Sequence, residues 1–206
     1  MTAGPWLAAA TPAQLELGPV ALRRWRADDA PALLTAVLDN LAQLRPWMPW
    51  ADGYDATAAA GFLDAAIAAW EDRTELLYAL VDGDDDLLGA VGLHTRRGPG
   101  RLEVGYWLCH DAVGHGYATA AAAAVTDAAF ALDDVEVVEI HVDRANARSA
   151  AIPARLGFVL REERSVPVTA PGEEGIHRVW SLTRAQLARS EVSRVLRSVQ
   201  RGASAS

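Results

Sequence analysis

Lysine is absent from this chain of 206 residues, and cysteine occurs once, at Cys109. The missing lysine is most simply explained by a compositional bias toward alanine and arginine. A lone thiol excludes an internal disulfide and is typical of the reducing cytoplasm. Charged residues interrupt each apolar run before it reaches the roughly 20 residues of a membrane-spanning helix. We therefore expect a cytoplasmic protein with no membrane partner.

Basic residues are outnumbered by acidic ones, 19 against 27, so the formal net charge is −8 at pH 7. This balance argues against nonspecific binding to nucleic acid and suits substrates that carry amines. The five histidines show no metal-binding spacing. The aspartate-rich segment 82–86 lacks the spacing and the closing glutamate of a calcium loop, so we interpret it as a solvated hairpin turn. No metal site is predicted.

The chain is predicted to form one domain over residues 15–188, preceded by a flexible lead-in at 1–14. The start of the lead-in has no basic residue before its short apolar run, so it is not interpreted as a signal peptide. Residues 189–206 are expected to form an amphipathic C-terminal helix followed by a disordered tail. That helix can pack on the core or on a second subunit, so a homodimer is one of two alternatives.

Hydrophobic periodicity predicts strands and helices in an order that fits a mixed α/β sheet. The predicted strands are 15–24, bent at Gly18-Pro19, and 75–81, 87–93, 101–107, 135–142, 158–163 and 177–182. The predicted helices run from the Asp28-Asp29 cap to about residue 40, then over 57–70, 117–131 and 147–155.

The most informative segment, 101–130, passes from an alternating strand through a glycine-paired turn into an alanine-rich helix. Gly114 and Gly116 can adopt backbone angles unfavourable for other residues, so consecutive N–H groups can converge at the helix N-terminus. The helix dipole favours an anion there, and Thr119 can add a hydroxyl donor. The turn is therefore a candidate anion cradle, with a plain strand-to-helix connection as the alternative.

Three motifs carry a family resemblance. Residues 113–118 resemble the acyl-CoA motif of the GNAT acyltransferases, Arg/Gln-x-x-Gly-x-Gly/Ala, with Val113 at the position where the family has Arg or Gln. Residues 146–158 resemble the family's second motif, Asn-x-x-Ser followed by a helix and Leu-Gly-Phe. Residues 22–30 and 44–50 resemble the RimJ/RimL-like branch of ribosomal-protein N-terminal acetyltransferases.

The resemblance implies a GNAT fold, a mixed and mostly antiparallel sheet that splays at the acyl-CoA site and is flanked by helices. It implies an N-acetyltransferase that moves an acetyl group from acetyl-CoA directly to a primary amine, such as the N-terminus of a ribosomal or other protein. A small-molecule acetyl- or succinyltransferase and a non-catalytic CoA-binding regulator are the alternatives. The implied cofactor-binding residues are Trp107, Leu108, Val113, Gly114, His115, Gly116, Tyr117, Ala118, Thr119 and Asn146.

Two residues are candidates for the chemistry of transfer. Glu103 lies on the strand that enters the turn, on the face opposite Tyr106, and is the candidate general base. The alternative for Glu103 is a structural hydrogen bond. The resemblance implies that Ser149 donates to the leaving sulfur, and the alternative for Ser149 is a helix N-cap.

The acceptor amine is expected to meet a cluster of aromatic residues. Arg45, Trp47 and Trp50 lie close together between prolines, and indole faces attract an ammonium group. We therefore predict that these three residues wall the acceptor pocket. An ordinary packing role for the tryptophans is the alternative.

Overall fold

The computed structural model describes residues 11–203 of the chain. The strands are β1 (Gln14–Leu17), β2 (Val20–Arg24), β3 (Glu75–Asp82), β4 (Leu87–His94), β5 (Arg101–Leu108), β6 (Val137–Asp143), β7 (Val159–Ser165) and β8 (Ile176–Thr183). The helices are α1 (Ala30–Asp39), α2 (Leu41–Leu44), α3 (Ala56–Glu71), α4 (Tyr117–Phe130), α5 (Ala147–Leu156), α6 (Arg184–Leu187) and α7 (Val192–Ala203).

The eight strands form one sheet in the order β1-β2-β3-β4-β5-β6-β8-β7. Every neighbouring pair is antiparallel except β5 and β6, which are parallel. This pair is in register only from Arg101↔Val137 to Glu103↔Glu139. Beyond Glu103, β5 continues to Leu108 without pairing to β6, so the sheet opens there. The predicted splayed, mostly antiparallel sheet is confirmed.

Helices cover both faces of the sheet because each strand alternates its apolar side chains between them. On one face α1 and α3 pack against β3 and β4. On the other face α4 packs against β4 and β5, and five consecutive alanines at 120–124 are all buried there. Alanine adds little bulk, so the α4 backbone lies close to the strands that carry the opening.

The C-terminal helix α7 packs on the same molecule, against α4 and β1. Val192 is fully buried, and Val195 and Leu196 pack against the main core. Of the two alternatives for this amphipathic segment, the structure shows packing on the core.

Both ends of the chain extend past the described residues. Residues 1–10 of the predicted lead-in lie outside them, but the Pro12 carbonyl accepts a hydrogen bond of 3.0 Å from the buried Tyr78 hydroxyl. At the other end α7 continues to Ala203, and residues 204–206 of the predicted tail lie outside. Across 11–203, no helix combines the length and the apolar composition needed to cross a bilayer.

Candidate active site

A cavity of about 930 Å³ passes through the opening between β5 and β6. Trp50, Trp107 and His94 line it on the side of α1 and α3, while Tyr106 and Ser149 line it on the side of α4 and α5. The cavity therefore connects the two faces of the sheet. A thioester and an amine that enter from opposite faces can meet in it.

Four ionisable residues cross the sheet in a single row at the base of the opening. Glu75 is paired with His94, His94 with Glu103, and Glu103 with Glu139, on β3, β4, β5 and β6. Directly paired residues point to the same face of a sheet. Of this row, the carboxylates of Glu75 and Glu103 and the imidazole of His94 line the cavity, whereas Glu139 lies outside its lining.

The Glu103 carboxylate is buried and fully engaged. Only 5% of the residue is exposed, Oε1 accepts a 2.6 Å hydrogen bond from Arg96, and Oε2 accepts one from Arg97. Burial alone raises the pKa of Glu103, but the hydrogen bond and charge of Arg96, with the hydrogen bond from Arg97, outweigh it and lower the pKa below its ordinary value. Glu103 therefore stays ionised at neutral pH.

His141, beyond Glu139 on β6, has a defined protonation state. Arginine can only donate, so the 2.9 Å contact from Arg164 requires His141 Nδ1 to accept. The Nε2–H then donates to Glu139 over 2.7 Å. Burial lowers the pKa of His141, opposed by the hydrogen bond to Glu139. His141 is thus neutral, with both ring nitrogens occupied.

Ser149 is the third residue of α5, the helix that follows β6, and it lines the cavity. The helix cap is Asn146, whose side-chain oxygen accepts a 3.1 Å hydrogen bond from the Ser149 backbone N–H. The Ser149 hydroxyl donates over 3.2 Å to the Tyr106 hydroxyl, which donates over 3.1 Å to the Ser149 carbonyl. The N-cap alternative for Ser149 is therefore wrong, and its hydroxyl is free of backbone capping.

The glycine turn has the conformation that a cradle needs. Gly114 and Gly116 have φ of +95° and +83°, in the left-handed region that favours glycine, and Gly116 caps α4. No described residue accepts a hydrogen bond from the N–H groups of residues 114–116. The first N–H groups of α4 add donors that a helix leaves without partners.

Around these donors lie the other residues of the proposed cofactor set. The His115 ring stacks on Tyr117, with centroids 5.4 Å apart. Val113, Ala118 and Thr119 are partly buried at the turn and in the first turn of α4. The predicted contacts of these residues with acetyl-CoA stay predictions.

The predicted acceptor-side residues separate into two groups. Trp47 and Trp50 line the cavity, and Trp50 lies 6.0 Å from Trp107 between ring centroids. Arg45 is instead 3.8 Å from Asp52 and lies outside the lining. Two predicted cofactor residues lie at the end of β5. Trp107 lines the cavity on the side of α1 and α3, whereas Leu108 packs against the core and its carbonyl accepts a 2.7 Å hydrogen bond from Gln43.

Sequence reasoning missed the partners of the catalytic candidates. The sequence placed Tyr106 only on a strand face and Glu75 only at the start of a strand, and it showed for His94 only that the histidines lack metal-binding spacing. The one available signal was the arginine pair at 96–97, which precedes a Gly-Pro-Gly turn just before Glu103. Among residues 11–203, no group of three His, Cys, Asp or Glu side chains is arranged to hold a metal ion.

Comparison with known sequences gives a match over most of the chain. Residues 20–159 match the family model described as acetyltransferase (GNAT) domain. The chain is also similar to YdaF of Bacillus subtilis (strain 168), whose name describes a proposed ribosomal N-acetyltransferase. The two are 27% identical over 144 residues, which cover 68% of this chain and 78% of YdaF.

Comparison with solved structures gives the same architecture. Mycobacterium smegmatis RimJ in complex with CoA-disulfide is 25% identical with a TM-score of 0.77, over 88% of this chain and 90% of that one. Ribosomal-protein-S5-alanine acetyltransferase from Vibrio fischeri is 21% identical with a TM-score of 0.74, over 83% and 96%. MccE, a microcin C7 self-immunity acetyltransferase in complex with acetyl-CoA and AMP, is 17% identical with a TM-score of 0.77, over 84% and 97%. The last two show similarity of fold alone.

Proposed function

Because this chain belongs to the GNAT acetyltransferase family, we propose that it moves an acetyl group from acetyl-CoA to the α-amino group of a protein N-terminus. The observation that carries the proposal is the cavity through the β5/β6 opening, which places Ser149 and Glu103 on its two sides. The glycine turn lies at the N-terminus of the helix behind the opening. Transfer is then direct, within a complex that holds both substrates.

The donor side fits acetyl-CoA through groups that are open on the chain. The N–H groups of residues 114–119 suit a pyrophosphate, since a helix N-terminus and a glycine turn both bind anions. Because backbone groups supply these donors, Val113 can stand in place of Arg or Gln. Asn146 lines the cavity beside Ser149, where a pantetheine arm would pass.

The acceptor side fits a cation. Trp47, Trp50 and Trp107 line the cavity, and the ionised Glu103 faces it. Aromatic faces and a carboxylate both attract an ammonium group. An α-amino group titrates near about 7.7 to 8.0, against about 10.4 for lysine, so less deprotonation is needed for attack. The name of YdaF favours ribosomal proteins as a source of such termini.

Two residues are proposed for the chemistry. As negative charge develops on the leaving sulfur, the Ser149 hydroxyl turns its one hydrogen from the Tyr106 oxygen to the sulfur, and the Tyr106 hydroxyl can then donate to Ser149 Oγ. The role of Glu103 as general base stays a prediction, and its lowered pKa makes it a weak proton acceptor. Because it stays ionised, Glu103 is suited to a second role. Its negative charge attracts the acceptor ammonium and offsets the repulsion from the cations of Arg96 and Arg97.

The acceptor class is tested with the wild-type protein, acetyl-CoA and a panel of peptides with free N-termini, compared with the same peptides blocked at the N-terminus. We expect acetylation of the α-nitrogen of the free peptides and none of the blocked ones, measured by mass spectrometry. Transfer only to small amines, or only from succinyl-CoA, would support the small-molecule alternative. Acetyl-CoA binding without any transfer would support the regulator.

Glu103→Gln separates the two roles of Glu103. The substitution keeps one acceptor oxygen for the arginines but removes the negative charge, so we expect KM for a cationic peptide to rise about tenfold, equivalent to ~1.4 kcal/mol of lost attraction. The KM for acetyl-CoA should not change. If Glu103 is the general base, kcat should instead fall by about ten- to ten-thousandfold, with a defect that shrinks as pH rises.

A further inference from the structure

Transfer to an amine needs a proton acceptor, and the row across the sheet contains one imidazole that no other role uses. We propose that His94, oriented by Glu75, accepts the proton of the acceptor amine. The inference rests on the proposed transfer to an amine and names the group that completes it. It follows from three features of the structure: the contact with Glu75, a gap left by two glycines, and the engagement of the competing groups.

Glu75 fixes the orientation of the His94 ring. The Glu75 Oε1 atom lies 3.0 Å from His94 Nδ1, between directly paired residues of β3 and β4. A carboxylate only accepts, so this contact places the proton of the neutral ring on Nδ1. The lone pair then lies on Nε2. A base held by an orienting carboxylate on its other nitrogen is an arrangement suited to general-base catalysis.

Two glycines place Nε2 at the opening. A Cβ atom added to Gly92 or to Gly105 would lie 3.2 Å from His94 Nε2, so the ring occupies space that both glycines leave free. Gly105 is two residues beyond Glu103, the last β5 residue paired with β6. His94 Nε2 is thus beside the first unpaired part of β5 and lines the cavity. No described residue forms a hydrogen bond with it.

The other candidate bases are occupied or unsupported. Both Glu103 oxygens are bonded to arginines, and both ring nitrogens of His141 have partners. His177 also lines the cavity, but no described carboxylate pairs with it. His94 alone combines a carboxylate partner with a ring nitrogen that faces the cavity.

The step balances without a further reactant. The amine lone pair forms the bond to the acetyl carbon, its proton passes to His94 Nε2, and the electron pair of the breaking C–S bond stays on sulfur. Sulfur takes a proton from water, either directly or through the Ser149 hydroxyl, which regains its own proton from water. The His94 cation then lies between the carboxylates of Glu75 and Glu103, and later returns its proton to water.

His94→Ala tests the proposal on the full chain. We expect kcat to fall by about 10²- to 10⁴-fold, the range for loss of a general base, while acetyl-CoA still raises the melting temperature. Added imidazole should restore part of the rate, because the space beside Gly92 and Gly105 is vacated. His110→Ala is the matched control, since this exposed ring contacts Gln43 outside the cavity, and it should keep its activity with no response to imidazole.

The pH dependence of kcat/KM distinguishes a general base from a residue that only stabilises the structure. Glu75 on β3, Glu103 on β5, and Arg96 and Arg97 after β4 face the His94 environment. With His94 as base, kcat/KM of the wild type rises as His94 loses its proton and then levels. The variant should lose that limb and rise only as the amine deprotonates. An unchanged profile, or a loss that imidazole does not restore, overturns the proposal.

Two further measurements decide the case if His94→Ala fails to fold or the wild type acetylates no amine. Gly105→Ala keeps His94 but introduces a Cβ 3.2 Å from Nε2, so it should reproduce much of the loss. The ¹⁵N shifts of the His94 ring, assigned with His94→Gln, should show the proton on Nδ1, and Glu75→Gln should weaken that preference. A proton on Nε2 overturns the His94 proposal whatever the activity, whereas absence of transfer with the expected tautomer overturns the proposed function alone.

Discussion

Gly116→Asp is expected to abolish the rise in melting temperature that acetyl-CoA gives the wild-type protein. The cradle exists only in the folded state, so a ligand at a hundred times its Kd stabilises that state by about 2.7 kcal/mol. For a chain of this size that corresponds to roughly 5 to 10 °C. An aspartate at Gly116 places a negative charge where the pyrophosphate would bind, and the ligand should no longer stabilise the fold.

Gly116→Asn is the matched control for this substitution. Asn and Asp have similar size and both enter the left-handed region more readily than other residues, so the backbone cost at φ +83° is nearly the same. No atom lies within 4 Å of a Cβ added there, so both substitutions have open space at their first side-chain atom. The Asn variant should retain much of the thermal shift. Equal loss in both variants would assign the effect to the backbone rather than to charge.

Ser149→Ala is expected to lower kcat by about 10²- to 10⁴-fold, the range for loss of a general acid, with acetyl-CoA affinity nearly unchanged. The interaction of the hydroxyl with sulfur strengthens only as charge develops, so its loss affects turnover rather than binding. The melting temperature of the free protein should hardly change, because Asn146 caps α5. Steady-state kinetics and a melting curve on one preparation measure both effects.

Asn146→Ala, unlike Ser149→Ala, is expected to lower the melting temperature. Loss of an N-cap costs about 1 kcal/mol, so we expect a melting temperature about 2 to 4 °C lower. If Ser149→Ala lowers the melting temperature and spares kcat, the hydroxyl of Ser149 is structural. Protonation of the leaving sulfur would then fall to water or to Tyr106.

The elements could be predicted from sequence because their periods are local. Strand alternation gave β3, β4 and β5 within one residue of their observed ends, and Gly18-Pro19 marked the turn of the β1–β2 hairpin. The helix α2, of four residues, was missed since so short a segment shows no period. The turn at Gly114 and Gly116 could be predicted because its left-handed φ angles favour glycine.

The pairing of side chains in the site could not be predicted. Glu75, His94, Glu103 and Glu139 come together through the register of four strands that are distant in sequence. The lowered pKa of Glu103 depends on Arg96 and Arg97, which lie in irregular backbone after β4. Alternation correctly gave the face of Glu103 but contained no information about its partners. The same limit concealed His94.

Cys109 is poorly suited to accept the acetyl group as a covalent intermediate. Acyl transfer through a cysteine requires the thiolate, and burial, with Asp111 and Asp39, raises the pKa of Cys109 to about 11. The thiol is therefore almost wholly protonated at neutral pH. This supports a route in which the acceptor amine attacks the thioester itself.

Initial rates of peptide acetylation, measured over a grid of acetyl-CoA and peptide concentrations, test direct transfer most closely. Our account predicts reciprocal plots that intersect, as a complex of both substrates requires, and an acetyl group found only on the peptide α-nitrogen. Parallel plots with an acetyl group on Cys109 would indicate a covalent intermediate and ping-pong kinetics. That result would contradict the central claim that both substrates meet in the opening between β5 and β6.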